Sequence, residues 1–240
     1  MARAFIKRLL IIACLFMAPV PLAVAQEAAE RSSLISFVED TLSTPDRVIR
    51  LNGLQGALSS DVALTSITIA DSQGVWLTIV EPRLVWNRSA LLRGRLDIER
   101  LAADSIEVVR KPVAGQDTPS VQANEFSIPQ LPVALQIGTL EIGTISLAQP
   151  VLGFAAQLSV QGNATLNDEG FATVLDVNRL GDMPGSLALD VRYDRATEQF
   201  AIDTRVSEPA NGIIANALQI PNEPSIDLII EGEGPIDALT

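Results

Sequence analysis

The pattern of apolar residues predicts a mostly β chain organised as one extending, largely antiparallel sheet. Three observations carry that reading. Beyond Pro45 apolar and polar residues alternate with period two, the mark of a half-buried strand, and the alternation continues almost to the end of the chain. The alternating runs are divided by turn-forming clusters such as Asn167-Asp168-Glu169-Gly170. A spacing also recurs. Leu96, Ile98, Leu101, Ile106 and Val108 have gaps of 2, 3, 5 and 2, and Leu135, Ile137, Leu140, Ile145 and Leu147 repeat those gaps 39 residues later. One structural unit used twice renews an apolar face strand after strand, which an extending sheet requires and a compact sandwich does not.

At the start of the chain, residues 1–8 carry Arg3, Lys7 and Arg8, and residues 9–25 contain no charge or strongly polar group. Ala23-Val24-Ala25 before Gln26 fits a signal peptide cleaved after Ala25. A retained inner-membrane anchor is the competing reading, against which Pro19 and Pro21 would break the last turns of a spanning helix. Either places residues 27–240 on the far side of a bacterial-type inner membrane, because the positive charge stays inside. Cys14 lies within the apolar run and reads as a small apolar residue rather than an acylation site, leaving the mature chain without a disulfide.

Residues 26–45 read as a short amphipathic helix. Leu34, Ile35, Val38 and Leu42 share one face with Phe37 beside them, and Pro45 ends the segment. Its acidic polar face, with Glu30, Glu39 and Asp40, favours capping a core over lying on a membrane surface. Residues 46–240 form the β region. Strand patterns fall at 75–80, at 84–86 after Pro82, and at 154–166, 171–177, 187–193, 200–206 and 226–230, with 167–170 joining two of them as a hairpin. One helical turn is expected at 89–93 and about two at 210–218. Residues 112–125, rich in proline, glycine and small polar residues, read as a loop inserted into one architecture. Gly232, Gly234 and Pro235 read as a turn, since no Lys or Ser/Thr follows at phosphate-loop spacing.

Composition narrows the chemistry. The 240 residues include no histidine and one cysteine, so a Ser-His-Asp triad, a histidine-ligated metal and a thiolate cluster are excluded and the chain reads as a non-enzyme needing no cofactor. The acid pairs Asp168 with Glu169, Asp190 with Asp194, and Glu231 with Glu233 lie in or beside expected turns, where carboxylates are ordinarily solvated. Hydrophobic residues at 48% and charged residues at 19% suit a folded chain. The formal net charge is −12, from 17 basic and 29 acidic residues; without the three cations of the first 25 residues it becomes −15. Such a body is repelled by phosphate backbones and anionic membrane surfaces, so no nucleic acid is expected as a partner and any lipid contact must be apolar.

Several phrases between Phe37 and Pro112 carry a resemblance. They are 51–60 (LNGLQGALSS), 66–79 with its Asp-x-x-Gly-Val-Trp turn at Asp71 to Trp76, 84–103 with Trp-Asn-Arg-x-Ala-Leu-Leu-x-Gly at Trp86 to Gly94, and Arg110-Lys111-Pro112 closing the next strand. Later, 208–237 combines a short helix, a proline-bounded turn and a strand ending in Gly-x-Gly-Pro. In order and spacing these resemble the N-terminal region of the TamB family of AsmA-like proteins, inner-membrane subunits of the translocation and assembly module. The resemblance covers most of the mature chain.

The resemblance implies that the sheet curls into a groove with an apolar inner face, a β-taco. It implies a single-pass inner-membrane tether with a periplasmic body, soluble in the periplasm if cleaved after Ala25, and an outer-membrane barrel partner, TamA. It also implies a scaffold for phospholipid transfer or outer-membrane protein assembly in which phospholipid acyl chains are held by the groove. Family members are much longer, so the chain reads as truncated at its C-terminus. The residues expected to line the groove are Leu77, Ile79, Ile98, Ile106, Ile137, Ile145, Leu158, Val160, Leu189, Val191, Leu228 and Ile230. The competing reading is an exported β-rich structural or adhesion domain whose alternating residues form a closed core.

Overall fold

The structure is a computed structural model that describes residues 35–36, 39–40, 42–56, 59–113 and 134–235. The export or anchor segment, most of the helix read over 26–45 and most of the 112–125 loop lie outside the described residues. Helical backbone is described at 35–36, 39–40 and 42. The account that follows concerns the unit that begins at Glu39.

Twelve strands form one open, mixed, mostly antiparallel sheet. They are β1 (Val48–Asn52), β2 (Asp61–Ala63), β3 (Ser66–Asp71), β4 (Gly74–Val80), β5 (Arg83–Asn87), β6 (Arg95–Val108), β7 (Ala134–Leu147), β8 (Ala156–Asn167), β9 (Gly170–Leu180), β10 (Gly185–Asp194), β11 (Gln199–Glu208) and β12 (Ile226–Pro235). The spatial order is β1-β3-β4-β6-β7-β8-β9-β10-β11-β12; β5 continues the line of β4 along the same side of β6, with β2 beside it. Among the described residues, three short helices lie between the strands, α1 (Arg88–Leu91), α2 (Gln149–Leu152) and α3 (Ile213–Ala217).

The repeated spacing is a strand register. β6 and β7 lie parallel, and Leu96, Ile98, Leu101, Ile106 and Val108 stand directly beside Leu135, Ile137, Leu140, Ile145 and Leu147. In a strand of period two, the odd gaps of 3 and 5 would throw the later residues onto the opposite face unless one extra residue is inserted at each. The extra residues are Glu99 and Asp104 on β6 and Gly138 and Gly143 on β7, which drop out of the pairing together. The slips pass to the neighbours, between Val85 and Trp86 on one side and at Ile137/Leu140 and Ile142/Ile145 on the other. Glycine is required on β7 because a Cβ at 138 would stand 3.0 Å from the Glu99 carbonyl oxygen, and one at 143 would stand 2.7 Å from that of Asp104. Each such bulge bends its strand and increases local twist.

A parallel pair needs a connection that carries the chain back along the strand length. Residues 109–133 are that crossover, so the stretch read as an inserted loop joins the end of β6 to the start of β7.

The two ends of the sheet are closed differently. At the hairpin end, β8 turns into β9 through Asp168 and Glu169, with the Asn167 side chain accepting from the amides of Glu169 (2.9 Å) and Gly170 (3.1 Å). β10 turns into β11 beside it, and Arg195 ties the two turns by donating to the Glu169 and Asp168 carbonyls at 2.8 and 2.9 Å. At the other end, β7 leads into α2 and β11 into α3, and these two helices touch across the ends of the intervening strands.

Three local expectations are corrected. Gly232, Gly234 and Pro235 are not a turn but the second half of β12, paired with Ile202, Phe200 and Gln199 of β11. Pro235 terminates a strand whose outer edge needs no amide donor. The helix expected over 210–218 is confined to Ile213–Ala217, because Asn211 adopts φ 60° and Gln219 φ 53°, outside the helical region. Helix α2 was not expected; it has a single turn that opens through Pro150 and closes at Gly153 with φ 90°, too short to register as a helical period.

Candidate functional site

All twelve candidate groove residues fall on one face. Six transverse rows make up that face across the long strands. Ile79, Ile106, Ile145, Leu158 and Arg179 form one row, continued by Ile67 and Leu51 on one side and Gly185 on the other. A second consists of Ile69, Leu77, Val108, Leu147 and Ala156. A third runs through Ile142, Val160, Val177, Leu187, Val206 and Leu228. The fourth holds Leu101, Leu140, Gly162, Leu175, Leu189, Thr204 and Ile230. Trp86, Ile98, Ile137, Ala164, Thr173, Val191 and Ile202 make the fifth. The last, at the hairpin end, contains Leu96, Leu135, Leu166, Phe171, Tyr193 and Phe200.

The opposite face is polar. Gln157, Ser159, Gln161, Asn163 and Thr165 of β8 project there, and so do the ion pairs Arg100–Glu141 (2.6 Å), Arg192–Asp190 (2.6 Å) and Arg205–Glu231 (3.1 Å). The sheet is therefore two-sided, and its apolar side has little covering it. Among the described residues only Ile49, Ala90, Ile98, Ala156, Val191, Val206 and Ala215 are buried apolar residues, and no large side chain is fully enclosed. Most of the face is half-buried, and on the edge strand β12 Leu228 and Ile230 are each 44% exposed.

Over the end of β8–β11, α3 does provide cover. Ile213 and Ile214 face Leu158, Val177 and Leu187 across a small, almost wholly apolar cavity of about 170 Å³. The helix is held by Glu208, whose carboxylate accepts from the amides of Ile214 (3.0 Å) and Ala215 (2.8 Å). These are two of the donors a helix start leaves unpaired, and a negative charge there is favoured. Gly212 allows the approach, since a Cβ would stand 2.2 Å from the Glu208 carboxyl carbon.

Arg179 is the one Lys or Arg within the six rows. Its Nη1 is buried without a hydrogen-bond partner, and its guanidinium carbon lies 5.4 Å from the centre of the Phe154 ring. Arg179 also borders a second, wider cavity of about 570 Å³ at the ends of β6–β9, with Val108, Leu147, Ala156, Met183, Glu107, Gln157 and Asp182 around it. Neither Arg179 nor Glu208 was singled out by sequence reasoning. The signal was their phase: each follows the last apolar residue that its strand puts on that face, Val177 or Val206, by two positions, which keeps it on the apolar side.

Two of the resembling phrases meet in space. Asp71, opening the β3–β4 turn, accepts from Arg110 at 2.6 and 2.8 Å, from the Gln73 amide at 2.8 Å and from the Val113 amide at 2.8 Å. Arg110 also donates to the Gly74 carbonyl at 2.7 Å. The Arg110 guanidinium, with the two amides, holds the Asp71 carboxyl far below the usual carboxylate range. This clamp fixes the end of β6 against the β3–β4 turn. The acid pairs offer no catalytic grouping: Asp168 and Glu169 are exposed in a turn, Asp190 pairs with Arg192 and Glu231 with Arg205, and Asp194 accepts from the Thr197 amide at 2.9 Å. Among the described residues no cluster of carboxylates or cysteines is arranged to hold a metal, and no helix is long and apolar enough to cross a membrane.

No family model matches the chain, and no curated protein and no solved structure matches it either.

Proposed function

We propose that this chain is a periplasmic scaffold of TamB type, in which the apolar face curls into a groove that holds apolar chains and performs no chemistry. In this reading the N-terminal segment tethers it at the inner membrane, TamA is its outer-membrane partner, and it supports phospholipid transfer to the outer membrane, protein assembly there, or both. The observation that carries the proposal is the continuous apolar face across a twelve-stranded open sheet with almost no enclosed side chains. A closed core would bury such rows; here they stay half-open, and each methylene laid against them gains about 0.8 kcal/mol. The rows cross strands of 10 to 14 residues, which at about 3.3 Å per residue run on the order of 33 to 46 Å, long enough to support an extended acyl chain. The acidic, ion-paired opposite face keeps such a sheet in water.

Lipid extraction and native mass spectrometry of the purified chain test this. Co-purified phospholipid is the expected result, and protein free of lipid after expression and after incubation with vesicles would overturn it. Val160→Asp, in the middle of the face, is expected to abolish lipid occupancy while the sheet stays at least partly folded. If that variant simply unfolds, the position belongs to a closed core, and the exported structural or adhesion domain is the better reading.

A further inference from the structure

We infer that the connection between β5 and β6 is a docking tip for an anionic lipid bilayer, in which Leu91 and Leu92 enter the acyl region while Arg88, Arg93 and Arg95 meet lipid phosphates. The inference goes beyond the lipid-scaffold reading, because a sheet with a closed core would dock in the same way.

The connection runs counter to the rest of the chain in two respects. Residues 88–95 hold three arginines and no acid, in a chain of net charge −12. They also expose their leucines. Leu92 is 91% exposed, more than any other large apolar side chain of the described residues, and Leu91 is 43% exposed. Ala90 alone seats α1, so Leu91 and Leu92, one and two positions further round, stand off the sheet. Arg93 and Arg95 are exposed beside them, and neither has an ion-pair partner among the described residues. By contrast, the exposed Leu180 and Met183 flank Asp182, Leu228 to Ile230 lie between Asp227 and Glu231, and the arginine beside Val109 is neutralised by Asp71.

Exposed leucines flanked by cations match the boundary of a bilayer, where phosphate lies over hydrocarbon. A guanidinium is well shaped to hold phosphate oxygens. An acidic protein surface would satisfy the arginines and leave the leucines against charge. The nearest acids do not cancel the tip. Asp97 lies two positions beyond Arg95 on the sheet side, and Asp168 with Glu169 stands beyond β8, two strands from β6. Two strand spacings are roughly 10 Å, about one Debye length in salt. The tip also adjoins the terminal row of the apolar face, which begins on β6 with Leu96. Docking therefore sets the hairpin end of that face at the bilayer.

The test reads the tip locally, because an apolar N-terminal segment would hold the full chain on vesicles whatever the tip does. A fluorophore is placed on Ser89→Cys, or on Asp182→Cys at the opposite end of the sheet, each in the full chain with Cys14→Ser, and quenching by spin-labelled lipids is measured. On phosphatidylglycerol vesicles the label at 89 should be quenched and the label at 182 should not. Arg93→Gln and Arg95→Gln should each lower the ratio of docked to free tip about fivefold, and phosphatidylcholine vesicles should lower it further. Leu92→Ser should lower it at least tenfold with the thermal midpoint unchanged, since that side chain packs on nothing. Equal quenching at 89 and 182, or quenching at 89 that survives the leucine and arginine changes, overturns the tip. Shielding at 89 without vesicles, rising with chain concentration, overturns the bilayer in favour of a second copy. Lipid extraction reads the groove separately: protein that docks through the tip and carries no lipid overturns the scaffold and leaves the tip standing.

Discussion

The two ends of the apolar face share one register and differ in chemistry. At the hairpin end the terminal row is Leu96, Leu135, Leu166, Phe171, Tyr193 and Phe200, closed by tight turns that Asn167 and Arg195 fasten through the backbone. At the opposite end β6, β7 and β8 finish that face in Val108, Leu147 and Ala156 while β9 and β11 finish it in Arg179 and Glu208, the connections contain α2 and α3, and both cavities bordered by Arg179 open there. Hairpin turns of two residues between β8 and β9 and four between β10 and β11 leave little chain to fold over a face, so that end relies on large side chains within the sheet. Longer connections can fold back and bring charge with them. The difference teaches that alternation alone builds the face, while connection length decides where chain can cover it.

The largest effect expected from breaking this contrast is at the hairpin end. Gly170 has φ 148°, and a Cβ there would stand 1.9 Å from the Tyr193 carbonyl oxygen, so Gly170→Ala must displace β10 or the turn. A loss of about 3 kcal/mol is expected, read as a lower urea midpoint, as in the upper range for overpacked sites. Loss below about 0.5 kcal/mol would mean that this turn does not fix the register.

Next comes the clamp at the other end. Because Asp71 has its folded pKa pushed below the unfolded value of about 3.9, its stabilisation is fully present above that value and is lost as pH falls below it toward the folded value. Asp71→Asn should lower the thermal midpoint at pH 7 by several degrees, and the gap to the unaltered chain should narrow steadily as pH falls below about 3.9. Asp194 at the hairpin end has its pKa lowered by the Thr197 amide and hydroxyl, so Asp194→Asn should show the same sign of pH dependence with smaller amplitude. If the two variants respond alike, the ends are not distinguished by their electrostatics.

A smaller, local effect is expected at α3. Gly212→Ala drives the Glu208 carboxylate off the start of the helix, costing about 1 kcal/mol, the usual value of a lost cap. Hydrogen exchange should quicken at Ile214 and Ala215 while the hairpin-end amides keep their protection. The smallest effect belongs to the polar face: Arg192→Ala removes an ion pair whose arginine is 68% exposed and should change stability by less than about 0.5 kcal/mol.

Much of this architecture was legible in the residues. The alternation from Ala156 to Leu166 gave β8 and Asn167 to Gly170 gave its turn, while the shared spacing of Leu96–Val108 and Leu135–Leu147 marked a unit used twice without saying that the two strands pair. The parallel direction of that pair was there to be read: gaps of 2, 3, 5 and 2 become 2, 5, 3 and 2 in reverse, so the two sets stand side by side only when the strands run the same way. Gly232 and Gly234 looked like a turn because glycine is a turn residue in isolation; their pairing with Ile202 and Phe200 of β11 is a long-range contact that local composition does not carry. Arg179 and Glu208 escaped notice because an apolar pattern is read as ending at its first charge, while the backbone goes on alternating past it.

The matched bulges of β6 and β7 also constrain how this gene can change. Deleting the codon for Gly138 alone would remove one step from β7 and send Leu135 and Ile137 to the polar side, while Leu96 and Ile98 on β6 stayed where they are. A second deletion at Glu99 would restore the match between the two strands but pass the slip on to β5 and β8. Length changes in these strands are therefore tolerated only as coordinated sets, whereas single substitutions are open wherever they keep the alternation and the bulge glycines 138 and 143. A lineage carrying this fold should show drifting side chains in β6 and β7 and a fixed count of residues between them and their bulges.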